Sequence, residues 1–251
     1  MESELVSIIT PIYNGAEYVS KTIDAVLKQD YKNWEMLIVD DGSKDNSAEI
    51  VENYSMQDTR IRLFKKKNGG SASARNMALK HAQGRYICFL DSDDIWMPEM
   101  LSQQVNFLRN TGVGLVYASY KKINQNDDEI FRPVIVPDKL TYNDLLKTNS
   151  ISCLTAMYDT SIVGIPLFDE SLKSMRDDFA YWLAILKKIP YALGNKNILG
   201  SYRVYQSSTT GNKRKLIKPT FLFYRNYLGL SLFKSLYYTM RWGISGIKRY
   251  R

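Results

Sequence analysis

Residues 85–94, Arg85-Tyr-Ile-Cys-Phe-Leu-Asp-Ser-Asp-Asp94, join a short apolar run directly to three aspartates. A bounded apolar run of this length is typical of a buried strand. Two carboxylates that lie two residues apart in the turn after a strand can both face a crevice, where hard oxygen ligands suit Mg²⁺ or Mn²⁺ shared with phosphate oxygens. We therefore expect a site at Asp91 and Asp93, and we expect Asp94 to cap the helix that follows.

The same alternation of strand and helix extends to both sides of this stretch. Apolar runs that read as strands cover residues 5–11, ending at Pro11, then 34–39 and 61–64. Helical spacing follows them at residues 18–29, 47–54, 73–82 (closed by Gly84) and 98–109. Four such alternations predict an α/β fold with a mostly parallel, Rossmann-like sheet and flanking helices. Its ligand crevice should lie at the carboxyl ends of the strands, where Asp40 and Asp41 also stand.

The rest of the chain is less regular. We expect strands at residues 114–120, 153–158 and 199–205, a hairpin at 124–128, and helices at 141–147 and 177–187. Residues 215–251 have helical character. The domain of 1–210 is thus divided into a first half, 1–110, and a second half, 111–210, with a basic amphipathic helical tail at 211–251.

Charge is distributed unevenly along the chain. The formal net charge is +8, yet all 26 acidic residues lie at or before Asp178, and residues 179–251 carry 14 Lys and Arg. Such asymmetry indicates a negatively charged partner: nucleic acid, anionic lipid or a phosphorylated substrate. The sequence contains no run of about 18 apolar residues and begins with the acidic Met1-Glu2-Ser3-Glu4, so we expect neither a spanning helix nor a signal peptide. Two cysteines, Cys88 and Cys153, fit a reducing cytoplasm.

Four motifs together resemble glycosyltransferase family 2, whose members are nucleotide-sugar-dependent enzymes with a GT-A fold. They are Val6-Ser-Ile-Ile-Thr-Pro-Ile-Tyr-Asn14, Ile38-Val-Asp-Asp-Gly-Ser43, Ser73-Ala-Arg-Asn76 and Phe89-Leu-Asp-Ser-Asp-Asp94. They occur in family order within about the first 110 residues. The resemblance weakens beyond them and returns at Arg176-Asp-Asp-Phe-Ala-Tyr-Trp-Leu183 and Tyr202-Arg-Val-Tyr205.

The resemblance implies a role for each donor-site residue. Pro11 and Tyr13 would line the nucleobase pocket, and Asp41 would accept from the base, which suits the N3–H of uracil. Asp91, with Ser92, would bind the ribose side, and Asp93 would bind Mn²⁺ or Mg²⁺. Arg75 would pair with a crevice carboxylate or a phosphate; a helix-surface arginine is the alternative.

The second half would supply the catalytic base. The resemblance assigns this role to Asp178, with Asp177 as the alternative, whereas an N-terminal helix cap is the simpler interpretation of both. The chain departs from the family at Ala180, where an acid is common, and at Tyr205, where histidine is common. The second departure puts a metal or phosphate contact from that loop in doubt.

The resemblance therefore implies a metal-dependent inverting hexosyltransferase that moves a sugar from a UDP-sugar to a saccharide or lipid-linked acceptor in capsule, O-antigen or other surface polysaccharide synthesis. One alternative is a non-catalytic protein that binds nucleotide-sugars. Another is an aspartyl-phosphate phosphatase or mutase, which also uses D-x-D but has Thr or Val where Ile95 stands.

The tail is expected to hold the enzyme on the anionic inner face of the cell membrane. Its basic residues would meet headgroups, and its apolar residues would form an interfacial face: Phe221, Phe223, Tyr224, Tyr227, Leu228, Leu232, Phe233 and Trp242. Packing on the catalytic domain, or a homodimer contact, would use the same residues. Nucleic acid is not expected as a partner, because the tail has no nucleic-acid module and the acidic first part would repel a duplex.

Overall fold

The computed structural model describes residues 4–172, 176–205 and 213–248. Four parallel strands form its first half: β1 (Val6–Ile12), β2 (Trp34–Asp40), β3 (Ile61–Lys65) and β4 (Tyr86–Phe89). Strands β1, β2 and β4 are almost entirely buried, whereas β3 is only partly buried. Helices α1 (Val19–Leu27), α2 (Ser47–Gln57) and α3 (Ser71–Leu79) connect them. The strand order β3-β2-β1-β4 places β1 at the centre. The predicted α/β alternation is confirmed.

The second half extends the same sheet. It comprises β5 (Ile95–Trp96), α4 (Met100–Thr111), β6 (Leu115–Ile123), β7 (Glu129–Val134), β8 (Lys139–Leu140), α5 (Tyr142–Lys147), β9 (Met157–Asp159), α6 (Thr160–Val163), α7 (Asp177–Leu186) and β10 (Ala192–Arg203). The path continues from β4 through β9, β6 and β10 to β5. Strand β9 is antiparallel to both of its neighbours, so the sheet is mixed. One sheet therefore runs through both predicted halves.

Two apolar clusters make up the core. Ile8 and Ile38 belong to one, and their chain neighbours Ile9 and Leu37 belong to the other. Because successive side chains of a strand point to opposite faces, the two clusters cover the two faces of the sheet. Continuous apolar strands are what a sheet covered on both faces requires.

The C-terminal part consists of α8 (Lys213–Leu222), a π-helical turn (Phe223–Tyr227) and α9 (Leu232–Lys248). Phe223 and Tyr224 are buried against α7, where Phe223 stacks on Phe179 with 5.2 Å between ring centroids. The Tyr224 hydroxyl donates to the carbonyl of Leu146 at 2.7 Å. This part of the tail therefore packs on α7 and α5. In the described part of the chain, no helix has both the length and the apolarity needed to cross a bilayer.

Several local predictions were wrong. Strand β1 continues through Pro11 to Ile12, and residues 153–155 form a 3₁₀ turn before β9. Gly84 does not end α3, which stops at Leu79. It lies instead against β1, where its amide donates to the Ser7 hydroxyl at 2.8 Å and an added Cβ would come within 2.5 Å of the Ser7 nitrogen. Asp94 caps no helix, because α4 begins only at Met100.

Candidate active site

The loops that follow β1 and β2 are joined by side-chain-to-backbone hydrogen bonds. The Asn14 amide donates to the Ser43 hydroxyl at 2.9 Å, and the Lys44 amide donates to Asn14 Oδ1 at 2.8 Å. Asn14 has φ of 50°, a conformation that asparagine adopts more readily than most residues. Beside this junction Pro11 is half-buried and Tyr13 is 49% exposed. The two residues assigned to the nucleobase pocket thus lie at the carboxyl end of β1, with the tyrosine ring open to solvent.

Asp41 is 3% exposed and holds the loop between β3 and α3. Its carboxylate accepts from Lys66 Nζ at 2.7 Å, from the Gly69 amide at 2.9 Å and from the Gly70 amide at 2.7 Å. Gly70 has φ of +89°, which a side chain would strain. The amides of Gly69 and Gly70 therefore donate to a carboxylate of the protein. A base-binding role for Asp41 stays a prediction, and it requires the base to share this carboxylate with the loop.

Arg75 lies inside the crevice on α3 and is only 6% exposed, so it is not a helix-surface arginine. Its Nη2 donates to Asp91 Oδ1 at 2.6 Å, and its Nη1 lies 3.4 Å from Asp177 Oδ2. Burial opposes the charge, but the charges of Asp91 and Asp177 raise the pKa of Arg75 above its usual value. The guanidinium therefore connects the turn after β4 to the first residue of α7.

The turn after β4 is fixed by main-chain contacts. The Thr22 hydroxyl donates to the carbonyls of Ser92 at 3.0 Å and Asp94 at 2.9 Å. The Arg203 amide donates to Asp94 Oδ1 at 2.8 Å, and Arg203 Nε donates to the Asp93 carbonyl at 2.8 Å. Burial, with the charges of Asp93 and Asp91, raises the pKa of Asp94 well above its usual value. Asp94 is thus a buried structural acid, whereas Asp91 and Asp93 are half-buried.

Asp93 is the carboxylate of this turn that fits a metal. Burial and the Asp91 charge raise its pKa, while a hydrogen bond from the Tyr205 phenol acts in the opposite direction. Among the described residues Asp93 makes no ion pair, and no group of three or more His, Cys, Asp and Glu is placed to hold a metal ion. A divalent cation bound through one or two carboxylates and the phosphates of a ligand needs no larger protein cage. The donor set therefore fits a cation shared with a diphosphate.

The two acids at the start of α7 have different environments. Asp177 is buried and faces Arg75 and the Ser71 hydroxyl, each at 3.4 Å. Asp178 is half-buried and accepts from Asn149 Nδ2 at 2.9 Å and from the Phe179 amide at 2.7 Å. Burial and then the Asp177 charge raise the pKa of Asp178. Asp178 is thus the more accessible of the two acids, and its raised pKa suits a proton acceptor.

Two residues of the site, Arg203 and Asn149, were not predicted from the sequence. Arg203 lies in a motif that was recognised, but no role was assigned to it. Its side chain contacts the D-x-D turn and pairs with Asp127 at 2.6 Å. Asn149 lies in an irregular segment where no pattern singles it out. Only the packing of this segment against α7 brings its amide to Asp178.

A family model described as "Glycosyl transferase family 2" matches residues 7–164. The putative teichuronic acid biosynthesis glycosyltransferase TuaG of Bacillus subtilis is 37% identical over 98% of this chain and 97% of its own length. The Escherichia coli UDP-Glc:alpha-D-GlcNAc-diphosphoundecaprenol beta-1,3-glucosyltransferase WfgD is 38% identical over 100% of this chain and 96% of its own length.

Among solved structures, the mannosyltransferase PcManGT from Pyrobaculum calidifontis, in complex with GDP-Man and Mn²⁺, superposes with a TM-score of 0.70. The match covers 100% of this chain and 74% of that chain at 17% sequence identity. At this identity the likeness concerns the fold, and it agrees with the mixed sheet and flanking helices described above.

Proposed function

The chain belongs to glycosyl transferase family 2, and we propose that it transfers the sugar of a UDP-sugar to a lipid-linked saccharide with inversion at the anomeric carbon. It is a glycosyltransferase of surface polysaccharide synthesis that uses a nucleotide-sugar, which makes the phosphatase or mutase alternative wrong. The observation that carries the finer proposal is the Arg75 bridge between Asp91 and Asp177. Because of this bridge, the acids proposed to bind the donor and the acids proposed to act on the acceptor lie in one crevice.

The choice of UDP follows from the relatives and from the nucleobase residues. WfgD, whose name gives UDP-Glc as its donor, is 38% identical to this chain, whereas the GDP-Man-bound mannosyltransferase is 17% identical. Asp41 offers acceptor oxygens, which suit the N3–H of uracil. We therefore propose that Pro11, Tyr13 and Asp41 hold the base, with Asp91, Ser92 and Arg75 nearer the ribose and diphosphate.

Asp93 is the proposed ligand of Mn²⁺ or Mg²⁺. When bound, the cation would offset the charge of the diphosphate leaving group. The chain's own contribution is to hold the carboxylate in place: Arg203 fixes the Asp93 carbonyl, and the Tyr205 phenol donates to the Asp93 carboxylate. Tyr205 stands where the family often has histidine, and its contact with Asp93 supports a positioning role.

Asp178 is the proposed general base. The acceptor hydroxyl oxygen attacks the anomeric carbon, the bond from that carbon to the diphosphate breaks with its electron pair leaving on UDP, and the hydroxyl proton passes to Asp178. Asn149 orients the carboxylate through Oδ2. Asp177 keeps Arg75 in place and is a positioning residue.

We further propose that the acceptor is lipid-linked and that the enzyme works at the inner face of the cell membrane. WfgD carries a diphosphoundecaprenol acceptor in its name, and its match extends over the full length of this chain. Such an acceptor keeps its lipid in the bilayer and presents its saccharide at the surface. Capsule, O-antigen or a related polysaccharide would be the final product.

A donor and acceptor panel tests this proposal. Wild type and Asp178→Asn would be incubated with UDP-glucose, UDP-GlcNAc or GDP-mannose, Mn²⁺ and a GlcNAc-diphospho-lipid, with both the released nucleotide and the glycosylated lipid measured. We expect a UDP-sugar to support transfer and Asp178→Asn to lower the rate of transfer by about a hundredfold or more. Binding of UDP-sugars without transfer to any acceptor would favour a non-catalytic binding protein.

A further inference from the structure

Helix α9 exposes a continuous row of large apolar side chains. Phe233 is 83% exposed, and the others follow at helical spacing, each at least 46% exposed: Leu232, Leu236, Tyr237, Met240 and Ile244. Residues three and four apart share one face of a helix, so these side chains form one strip. Contiguous exposed apolar surface on a protein marks a site of interaction.

The opposite face of α9 is already occupied. Ser235 is fully buried, Tyr238 lies 5.6 Å from Tyr224 between ring centroids, and the Trp242 ring lies 4.8 Å from the Arg176 guanidinium. The residues of this face alternate with the exposed strip along the helix. The helix is therefore fixed to the domain by one side and presents its apolar side outward. The sequence suggested Phe223, Tyr224 and Trp242 for the outward face, but all three face the domain instead.

The basic residues around the exposed strip indicate which partner binds to it. Lys234 and Arg241 are exposed on one flank of it, Lys218 and Arg225 are exposed in the preceding helical segment, and no acidic residue follows Asp178. An apolar face flanked by basic residues alone complements an anionic bilayer. A second copy of the same helix would instead bring like charges together across a two-fold axis.

The position of α9 connects this strip to α7, the helix that begins with Asp177 and Asp178. Arg176 immediately precedes Asp177 at the start of α7; it donates to the Thr220 hydroxyl of α8, and its guanidinium lies over Trp242 of α9. We propose that the apolar strip of α9 docks on an anionic membrane surface and thereby brings the Asp177–Asp178 end of α7 to the bilayer. The benefit of docking for catalysis rests on the proposed function, since the saccharide of a lipid-linked acceptor would leave the bilayer beside Asp177 and Asp178.

Sedimentation with vesicles tests the docking surface directly. The full chain would be mixed with vesicles of phosphatidylcholine alone or with anionic phosphatidylglycerol, at low and at high salt. We expect binding to the anionic vesicles that weakens with salt. Lys234→Gln with Arg241→Gln should reduce it about fivefold for each lost charge, and Phe233→Ser with Met240→Ser should reduce it at least about tenfold.

A matched control is Met56→Ser, which removes a 77% exposed methionine from α2; it should bind vesicles as wild type does. Transfer to a water-soluble acceptor should be unchanged in all of these variants, while transfer to acceptor embedded in anionic vesicles should fall in the α9 variants. Vesicle binding without transfer to either acceptor would overturn the proposed function and leave the docking surface standing.

Three results would overturn the docking proposal. The first is that wild-type protein does not bind anionic vesicles at low salt. The second is that the α9 variants bind them as wild type does. The third is that wild type has no vesicle affinity but forms a dimer, seen by light scattering, which Phe233→Ser with Met240→Ser dissociates. That result would assign the strip to a second copy of this chain.

Discussion

Asp91, in the turn after β4, and Asp177, at the start of α7, are held by the two terminal nitrogens of one buried guanidinium, that of Arg75. The contacts measure 2.6 Å and 3.4 Å. A charge in this position compensates two carboxylates that would otherwise repel each other inside the crevice. The bridge fixes the second half of the site relative to the first without covering Asp93 or Asp178.

Arg75→Met should destabilise the protein and abolish transfer. Removing one partner of a buried ion pair leaves uncompensated charge and costs about 3–5 kcal/mol. Arg75→Lys keeps the charge but lacks the fork that reaches both acids, so it should lose less stability and still lose most of its activity. Urea denaturation with a parallel activity assay measures both effects. Wild-type stability of Arg75→Met would contradict the bridging role.

Asp178→Asn should lower turnover by about a hundredfold or more while donor binding persists, as expected when a general base is removed. Asp177→Asn removes a partner of Arg75 rather than the proton acceptor, so it should lower stability more than turnover. Steady-state kinetics and UDP titration of the two variants separate these effects. A reversed order of turnover would move the base to Asp177.

Asn149→Ala should move the acidic limb of the pH–rate profile to higher pH. Burial already raises the pKa of Asp178, and the Asn149 amide donates to its carboxylate, which favours the charged form. Without this donor the pKa rises further, and because only the deprotonated carboxylate accepts a proton, activity is lost at a higher pH as the solution is acidified. The pH dependence of kcat for wild type and Asn149→Ala measures the shift. An unchanged limb would show that Asn149 does not act on the base.

Asp93→Ala should lose the Mn²⁺-dependent part of UDP binding and all transfer while remaining folded. The side chain is half-buried beside like charges, so its removal relieves repulsion rather than breaking an ion pair. Asp138→Ala is the matched control, since that carboxylate is 76% exposed and pairs with Lys196 on the surface. Calorimetric titration of UDP with and without Mn²⁺ decides the matter. Equal Mn²⁺ dependence in Asp93→Ala and wild type would remove the metal role.

The sequence could predict the four parallel strands and the polar residues at their ends, because buried strands are locally apolar and polar, turn-forming residues mark where they end. It could not predict that Gly84 packs on Ser7, since glycine marks a helix end and a close approach alike. Nor could it predict which half of the tail is buried. Phe223 and Phe233 look equivalent in the sequence, and only the packing of Phe223 on Phe179 separates them.

The contact between Asn149 and Asp178 lay beyond sequence reasoning for a related reason. It joins an irregular segment to a helix terminus, and such segments carry no periodicity from which a partner could be inferred. The role of Arg203 was easier to predict than that of Asn149, because Arg203 lies in a recognised motif at the end of β10. Its role required knowing that β10 and β5 pair beside the D-x-D turn.

The most direct test of the account is the configuration of the new linkage when wild-type enzyme transfers glucose from α-configured UDP-glucose to a GlcNAc-diphospho-lipid, read from the anomeric proton coupling by NMR. A single displacement assisted by Asp178 predicts a β-linked product that wild type forms at least about a hundredfold faster than Asp178→Asn. An α-linked product would contradict the single displacement. A β-linked product formed equally fast by Asp178→Asn would contradict the assigned base.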